Sequence, residues 1–327
     1  MGKLLVICGP TATGKTGLGI RLAKKFDGEI ISADSRQVYR GMDIGTGKEF
    51  GNGVKIWLLG VVEPDEEFSV AHYVKLAQEA IDSIRKRGKL PIIVGGTGLY
   101  IKGVVEGIGT LGIPPNWSLR KKLTGWPAAS LAGKLRKLDF QKWQKMNQSD
   151  RNNPRRLIRA IELATGNKKQ EARSKKQEVV GENKNVLVVG LKAPYKFLYK
   201  RIDCRVEERI KAGAEAEIKN LLKKYSFENS ILGATIAYQE WQPYFERQRE
   251  TRFPSKARGS YFEGKAGRQE VIQCWKFAEH AYARRQMTWF RRNKQIHWFD
   301  ISQNKWQDEV EKLVKSWYDR KDAASKN

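Results

Sequence analysis

Apolar residues fall in brief buried runs separated by longer amphipathic stretches from the start of the chain onward. Lys3–Cys8 is an apolar run ending at Gly9, and Thr16 to Phe26 then carries its apolar residues at helical spacing, which predicts strand, loop and helix. Glu29–Ala33, Lys55–Val62 and Leu90–Val94 read as three further buried strands. Before the last of these, Ser69 caps a predicted helix on which Val70, Val74, Ala77, Ile81 and Ile84 share a face. Strands alternating with helices predict a parallel sheet with right-handed crossovers.

The pattern changes from about Gly112 to Glu182, where β-branched runs vanish and short basic helices take over. One of them opens at Asn153-Pro154 and runs to Thr165, where Gly166 stops it. Asn185–Leu191 returns to the buried-strand pattern; long helical stretches follow Pro194, then a predicted strand at Ile296–Asp300 and a last helix over Lys305–Tyr318. The chain therefore divides into residues 1–111, the first part of a sheet-based core; 112–182, an inserted helical domain; and 183–327, the rest of the core with C-terminal helices. Residues 247–260 are charged, carry Pro254 and Gly259 and lack apolar periodicity, which predicts a mobile loop between Tyr244-Phe245-Glu246 and Tyr261-Phe262-Glu263.

Charge adds a partner to this picture. The 327 residues hold 62 Lys+Arg against 36 Asp+Glu, a net charge of +26. Residues 1–100 are nearly balanced at 14 basic to 11 acidic, residues 101–200 hold 22 to 7, and residues 201–327 hold 26 to 18. A near-neutral first third and a strongly basic middle point to a small-molecule site built early and a polyanion-binding surface added later. With 40% apolar residues the chain is not wholesale disordered. It has no run near the ~18 apolar residues of a membrane helix, and Val6 stands where lipidation at Gly2 needs Ser or Thr, so a cytoplasmic protein is expected. Cys8, Cys204 and Cys274 form no C-x-x-C pair, and His72, His280 and His297 are not at metal-ligand spacing, which excludes an encoded zinc site or disulfide framework.

Gly9-Pro10-Thr11-Ala12-Thr13-Gly14-Lys15-Thr16 fits G-x-x-x-x-G-K-[ST] between a predicted strand and a predicted helix, the context in which backbone N–H groups converge on phosphate oxygens. Lys15 would neutralise a phosphate and the Thr16 hydroxyl would hold Mg²⁺. The motif specifies a diphosphate or triphosphate without naming the reaction. A motor-type ATPase would end an apolar strand in Asp, yet Leu90–Val94 runs into Gly95-Gly96-Thr97-Gly98. The nearest carboxylate is Asp34, delivered by the second predicted strand to the same sheet edge. The expected fold is a P-loop NTPase-like parallel sheet flanked by helices, with an inserted small helical domain.

Five blocks in order, GPTATGKT at 9–16, ISADSRQVYRGMDIGTGK at 31–48, GGTGLY at 95–100, NPRRLIRAIE at 153–162 and RRQMTWFRR at 284–292, make the chain resemble the tRNA dimethylallyltransferases over nearly its whole length. The resemblance implies transfer of a dimethylallyl group from dimethylallyl diphosphate to the exocyclic amine of the adenosine 3′-adjacent to the anticodon. It assigns Asp34 as the base, Thr97 a place near the reacting amine and Arg205 a place at the diphosphate; from the residues alone, Thr97 reads equally as a helix-starting threonine and Arg205 as a surface ion pair. It implies contacts to the tRNA anticodon stem-loop from Ser35, Arg36, Gln37, Val38, Arg120, Arg155, Arg156, Arg159, Arg284, Arg285, Gln286, Trp289 and Arg291. Trp289 and Phe290 read either as stacking platforms for bases or as core aromatics. A monomer working without a membrane is expected. The P-loop alone leaves two other readings, an ATP-dependent small-molecule kinase and an RNA-binding module gated by the loop. Where the family shows Gly-Tyr and a polar pair, this chain has Ala237-Tyr238-Gln239-Glu240, its helical insert is shorter than in many relatives, and the interruption after Tyr244 lies outside the pattern.

Overall fold

The computed structural model describes residues 2–110, 112–166, 185–250 and 267–320. These fall into two compact units, one formed by residues 1–105 and 182–327, the other by residues 106–181.

The first unit begins with β1 (Leu4–Cys8), α1 (Lys15–Lys25), β2 (Gly28–Ser32), β3 (Ile56–Trp57), α2 (Val70–Lys86), β4 (Leu90–Gly95) and α3 (Gly98–Val105). The second unit holds α4 (Trp117–Leu123), α5 (Ala128–Leu138), α6 (Phe140–Lys145), α7 (Gln148–Arg151) and α8 (Pro154–Thr165). The chain then supplies the first unit with β5 (Val186–Lys192), α9 (Tyr195–Lys211), α10 (Ala214–Leu221), α11 (Gln242–Glu250), α12 (Arg268–Phe290), β6 (His297–Asp300) and α13 (Trp306–Asp319). Of the expected loop at 247–260, the first four residues belong to α11 and the rest lie outside the described residues.

Six strands pair in the order β3-β2-β4-β1-β5-β6, every pairing parallel. β1 is apolar on both faces because helices cover both. Leu4, Val6 and Cys8 pack with Tyr73, Ala77, Ile81 and Ile84 of α2 and with Tyr100 and Ile101 of α3. Leu5 and Ile7 pack on the opposite face with Leu18 and Leu22 of α1 and with Val310, Val314 and Trp317 of α13. The cap expected at Ser69 forms, with His72 completing a capping box in the place usually taken by Glu or Gln. The strand expected over Lys55–Val62 is only two residues long, because Leu58 and Gly60 turn the backbone left-handed at φ 65° and 59°. Beyond it, Val62 makes an isolated parallel bridge with Tyr39, outside the six strands.

A third apolar cluster lies within the first unit, where Val38, Tyr39 and Met42 meet Ile202 and Val206 of α9, Ile218 of α10, Trp241, and Trp275 of α12. The second unit has its own small core of Leu123, Leu131, Leu135, Leu157 and Ile161, with Ile158 packed at its margin. Leu157 and Ile161 stand four apart and so share the inward face of α8, whose Asn153 side chain accepts the Arg156 N–H and whose first turn carries Pro154.

Candidate active site

Parallel strands deliver their following loops to one sheet edge, and three adjacent strands here do so with chemistry-bearing residues. β1 leads into the glycine loop, β4 into Gly95–Gly98, and β2 into Ala33–Gln37. Ser32 pairs with Val94, so Asp34 and Thr97 are brought together although far apart in sequence. The Thr97 N–H donates to the Ala33 carbonyl at 3.0 Å, and the Thr97 hydroxyl accepts the Ser35 N–H at 3.0 Å. Asp34 Oδ1 accepts the Arg36 N–H at 2.8 Å, which orients the carboxylate.

The glycine loop is held tightly. Gly9 has φ 137°, and a Cβ there would lie 2.3 Å from the Leu191 carbonyl oxygen, so β1 can turn here only without a side chain. Thr13 Oγ1 and Lys15 Nζ both donate to the Pro10 carbonyl, at 2.9 and 2.6 Å. The environment of the Lys15 ammonium is unfavourable to its charge. Burial, reinforced by the Arg205 guanidinium, pushes its pKa down to about 8, against a smaller opposing pull from Asp34, Cys8 and Glu49. Beneath it, burial raises the Cys8 thiol to about 12, leaving it inert at neutral pH.

Lys15, Thr16, Asp34, Gln37, Arg205 and Tyr282 line one cavity of about 150 Å³. Its basic wall is α9, where Arg201, Arg205 and Arg209 recur every four residues and share a face. Arg201 donates to the Ala12 carbonyl at 2.8 Å. Arg205 pairs with Glu49 at 3.6 Å, and burial followed by repulsion from Arg209 lowers its pKa. Arg209 donates to the Gly45 carbonyl at 3.2 Å and pairs with Glu279 at 3.0 Å. Sequence reasoning singled out only Arg205; the four-residue spacing was the signal for the other two. Tyr282 was also missed. Its hydroxyl shares a hydrogen bond with the Thr97 side chain, and burial raises its pKa, so the phenol stays neutral. Thr97 itself is reached through Tyr282 and Ser35 and is not one of the residues facing the cavity.

The residues expected to touch tRNA separate into two groups. Val38 is fully buried and offers an RNA no side-chain surface. Gln37 turns inward, accepting from the Ser32 hydroxyl at 2.9 Å and donating to the Gly47 carbonyl at 3.2 Å. Gln286 is 5% exposed and joins Thr11 to Gly96. The Ser35 N–H is taken by Thr97, and the Arg36 guanidinium donates to the Ala234 carbonyl at 2.9 Å while remaining exposed. Arg284 donates to the Tyr199 hydroxyl, Arg285 lies near the Tyr282 ring, and Arg291 is exposed just beyond α12. Trp289 is 37% exposed against Gly98, whereas Phe290 is core.

In the second unit, Arg120 grips Glu162 with two bonds of 2.7 and 3.0 Å, and Arg159 adds a third at 3.1 Å. Arg159 also donates to the Thr110 and Ile113 carbonyls, so both arginines build this unit from within. Arg156 pairs with Asp150, and Arg155 is exposed. Back in the first unit, Ala237 adopts φ 83°, the left-handed backbone that favours glycine.

Sheet order, glycine loop and basic cavity together define a P-loop NTPase-like α/β protein built to hold a diphosphate or triphosphate. The description "IPP transferase" matches residues 37–293 and "Isopentenyl transferase" matches residues 2–59. The chain belongs to the tRNA dimethylallyltransferase family, and it is a prenyltransferase. It is 37% identical to the tRNA dimethylallyltransferase of Acetivibrio thermocellus over 97% of this chain and 96% of that one. It is 38% identical to that of Roseiflexus sp. over 98% and 100%. The crystal structure of the tRNA isopentenylpyrophosphate transferase of Bacillus halodurans superposes with a TM-score of 0.68 at 32% identity, covering 97% of both chains. A eukaryotic dimethylallyltransferase captured acting on tRNA superposes with a TM-score of 0.75 at 25% identity, covering 97% of this chain and 79% of that one.

Proposed function

We propose that the protein transfers a dimethylallyl group from dimethylallyl diphosphate to the exocyclic amine of the adenosine 3′-adjacent to the anticodon of tRNA, releasing diphosphate. The observation that carries this reading is the meeting of Lys15, Asp34 and Arg205 on one cavity in a chain of this family. The new bond joins the amine nitrogen to the first carbon of the prenyl group as that carbon's bond to the diphosphate oxygen breaks. Asp34 takes the proton from the amine, whose lone pair is otherwise delocalised into the purine ring. Thr97, bonded to Ser35 and Tyr282 behind the cavity, acts on the acceptor through the loop of Asp34 that it braces. Lys15, Arg205 and the loop N–H groups receive the charge that develops on the leaving group. Kinase chemistry is not favoured, because the relatives are prenyltransferases and a small acceptor leaves the charge surplus unexplained.

The cavity suits Mg²⁺, which keeps most of its waters and needs only one or two protein oxygens; the Thr16 hydroxyl on the cavity wall would hold it. When bound, the ion neutralises charge on the departing diphosphate. The acceptor base must leave its stack to arrive here, at a cost of about a few kcal/mol that contacts to the anticodon stem-loop offset. The protein is proposed to act as a monomer. No helix among the described residues is long and apolar enough to cross a membrane; the tRNA-modifying relatives support a cytoplasmic enzyme. The test is to incubate the protein with dimethylallyl diphosphate and undermodified tRNA, digest, and weigh the nucleosides by mass spectrometry. Absence of prenylated adenosine removes the reading.

A further inference from the structure

Helix α12 lies across the carboxyl edge of the sheet and presents Glu279, Tyr282, Gln286 and Trp289 along one face. Each meets a different part of the site: Glu279 holds Arg209, Tyr282 bonds Thr97, Trp289 lies against Gly98, and Gln286 reaches two loops at once. Its Oε1 accepts the Thr11 N–H at 2.8 Å, and its Nε2 donates to the Gly96 carbonyl at 3.1 Å. One N–H of the phosphate loop is therefore committed to a side chain. Continuing through Thr97, whose hydroxyl accepts the Ser35 N–H, the bonds form an almost continuous track from the phosphate loop to the loop of Asp34.

We infer that Gln286 is a positioning residue: its amide locks the loop that holds the donor diphosphate to the turn that carries Thr97, and so sets the separation of donor and acceptor. This rests on the prenyl-transfer reading above. An amide is the side chain suited to the task, since it accepts on one oxygen and donates on the adjacent nitrogen. Gly96 is explained by the same contact. A Cβ on Gly96 would lie 2.0 Å from Gln286 Nε2, whereas the next nearest group outside that side chain, the Gly9 carbonyl oxygen, is 3.6 Å away. Gly96 does not have the left-handed backbone that would demand glycine for itself.

That isolation permits a closed test. Gln286→Ala, Gly96→Ala, the double variant and Gln286→Met, which keeps the side-chain volume, are compared with wild type in single-turnover prenyl transfer at saturating tRNA and dimethylallyl diphosphate. Affinity for inorganic diphosphate is measured by calorimetry alongside. Lost positioning predicts that each single variant slows transfer on the order of 10- to 100-fold, with diphosphate affinity changed less than about threefold. Gly96→Ala should cost nothing further once Gln286 is Ala, because the atom it collides with is gone. Gln286→Met should be as slow as Gln286→Ala while melting near the wild-type temperature. Additive effects of the two alanine variants, a loss confined to diphosphate affinity, or a fast Gln286→Met enzyme would overturn the inference. A wild type that prenylates nothing overturns the proposed reaction instead.

Discussion

Lys15 shows how a single residue stores the tension of the site. Its charge is needed only when an anion arrives, and in the free protein burial and Arg205 lower its pKa from 10.5 to about 8. Below pH 8 the ammonium is present and diphosphate binds to a charged site; above it, binding requires a proton to be taken up. The affinity of wild type relative to Lys15→Arg, a ratio that cancels the ligand's own titration, should fall about tenfold per pH unit above 8. Calorimetry from pH 6.5 to 9.5 checks this, and a flat ratio contradicts it. The stability sign follows: the unfolded chain binds more protons between pH 8 and 10.5, so Lys15 costs stability at neutral pH and the cost disappears as pH rises through that window. Lys15→Met should therefore melt higher than wild type at pH 7, by about 2–4 °C per kcal/mol relieved, with the gain shrinking toward pH 10. Asp34→Ala should lower turnover by at least about 10²-fold while leaving tRNA affinity intact, as expected of a general base. The phosphate loop was legible in the sequence because its motif encodes backbone geometry directly. Tyr282 was not, and Gln286 was expected only as a tRNA contact, because their roles exist only once α12 is laid beside loops distant in sequence.

At the scale of the element, helix α8 shows how a basic face divides its work. Leu157 and Ile161 fill the small core as their spacing implies, but the arginines beside them do not act alike. Arg159 and Arg120 clasp Glu162, whose side chain is 2% exposed, and leave Arg155 to face outward. Burial pushes the Glu162 carboxyl up, but hydrogen bonds from Arg120, Arg159 and the Asn116 N–H outweigh it and hold its pKa below the ordinary carboxylate value. The stability it contributes is thus present at neutral pH and is lost as pH falls through the lowered pKa. Glu162→Gln should destabilise the second unit by about 3 kcal/mol and flatten its acid dependence, measured by urea unfolding followed by circular dichroism over a pH series. Strands were the most readable elements, since a run buried on both faces leaves a continuous apolar signature. The strand expected at Lys55–Val62 failed beyond Trp57 because apolar composition says nothing of the left-handed turns at Leu58 and Gly60. Ala237 is a related case: its left-handed backbone is visible only in the fold, and Ala237→Gly should stabilise the protein by about 1 kcal/mol in chemical denaturation.

Across the whole molecule, the surplus of +26 combines two populations of cation that composition cannot separate. Arg120, Arg159, Arg201, Arg205 and Arg209 are engaged inside the units, bonded to carboxylates or carbonyl oxygens or lining the cavity. Arg155 and Arg291 are exposed and suited to phosphate contacts along a tRNA. The two populations should respond differently to salt. Neutralising a phosphate releases counterions, so each lost contact flattens the log–log dependence of affinity on salt by roughly 0.7–0.9. Arg155→Ala and Arg291→Ala should each weaken tRNA binding and flatten that slope by about this amount, and together by about twice it, without changing the melting temperature. Arg159→Ala should instead lower the melting temperature, and any loss of tRNA affinity should leave the slope of the folded fraction unchanged. Filter binding from 50 to 300 mM salt, paired with calorimetric melting of the same variants, separates these outcomes. An unchanged slope in the Arg155 and Arg291 variants would remove both from the RNA-facing surface, whereas a flattened slope in the Arg159 variant would show that its ion pairs with Glu162 open when tRNA binds.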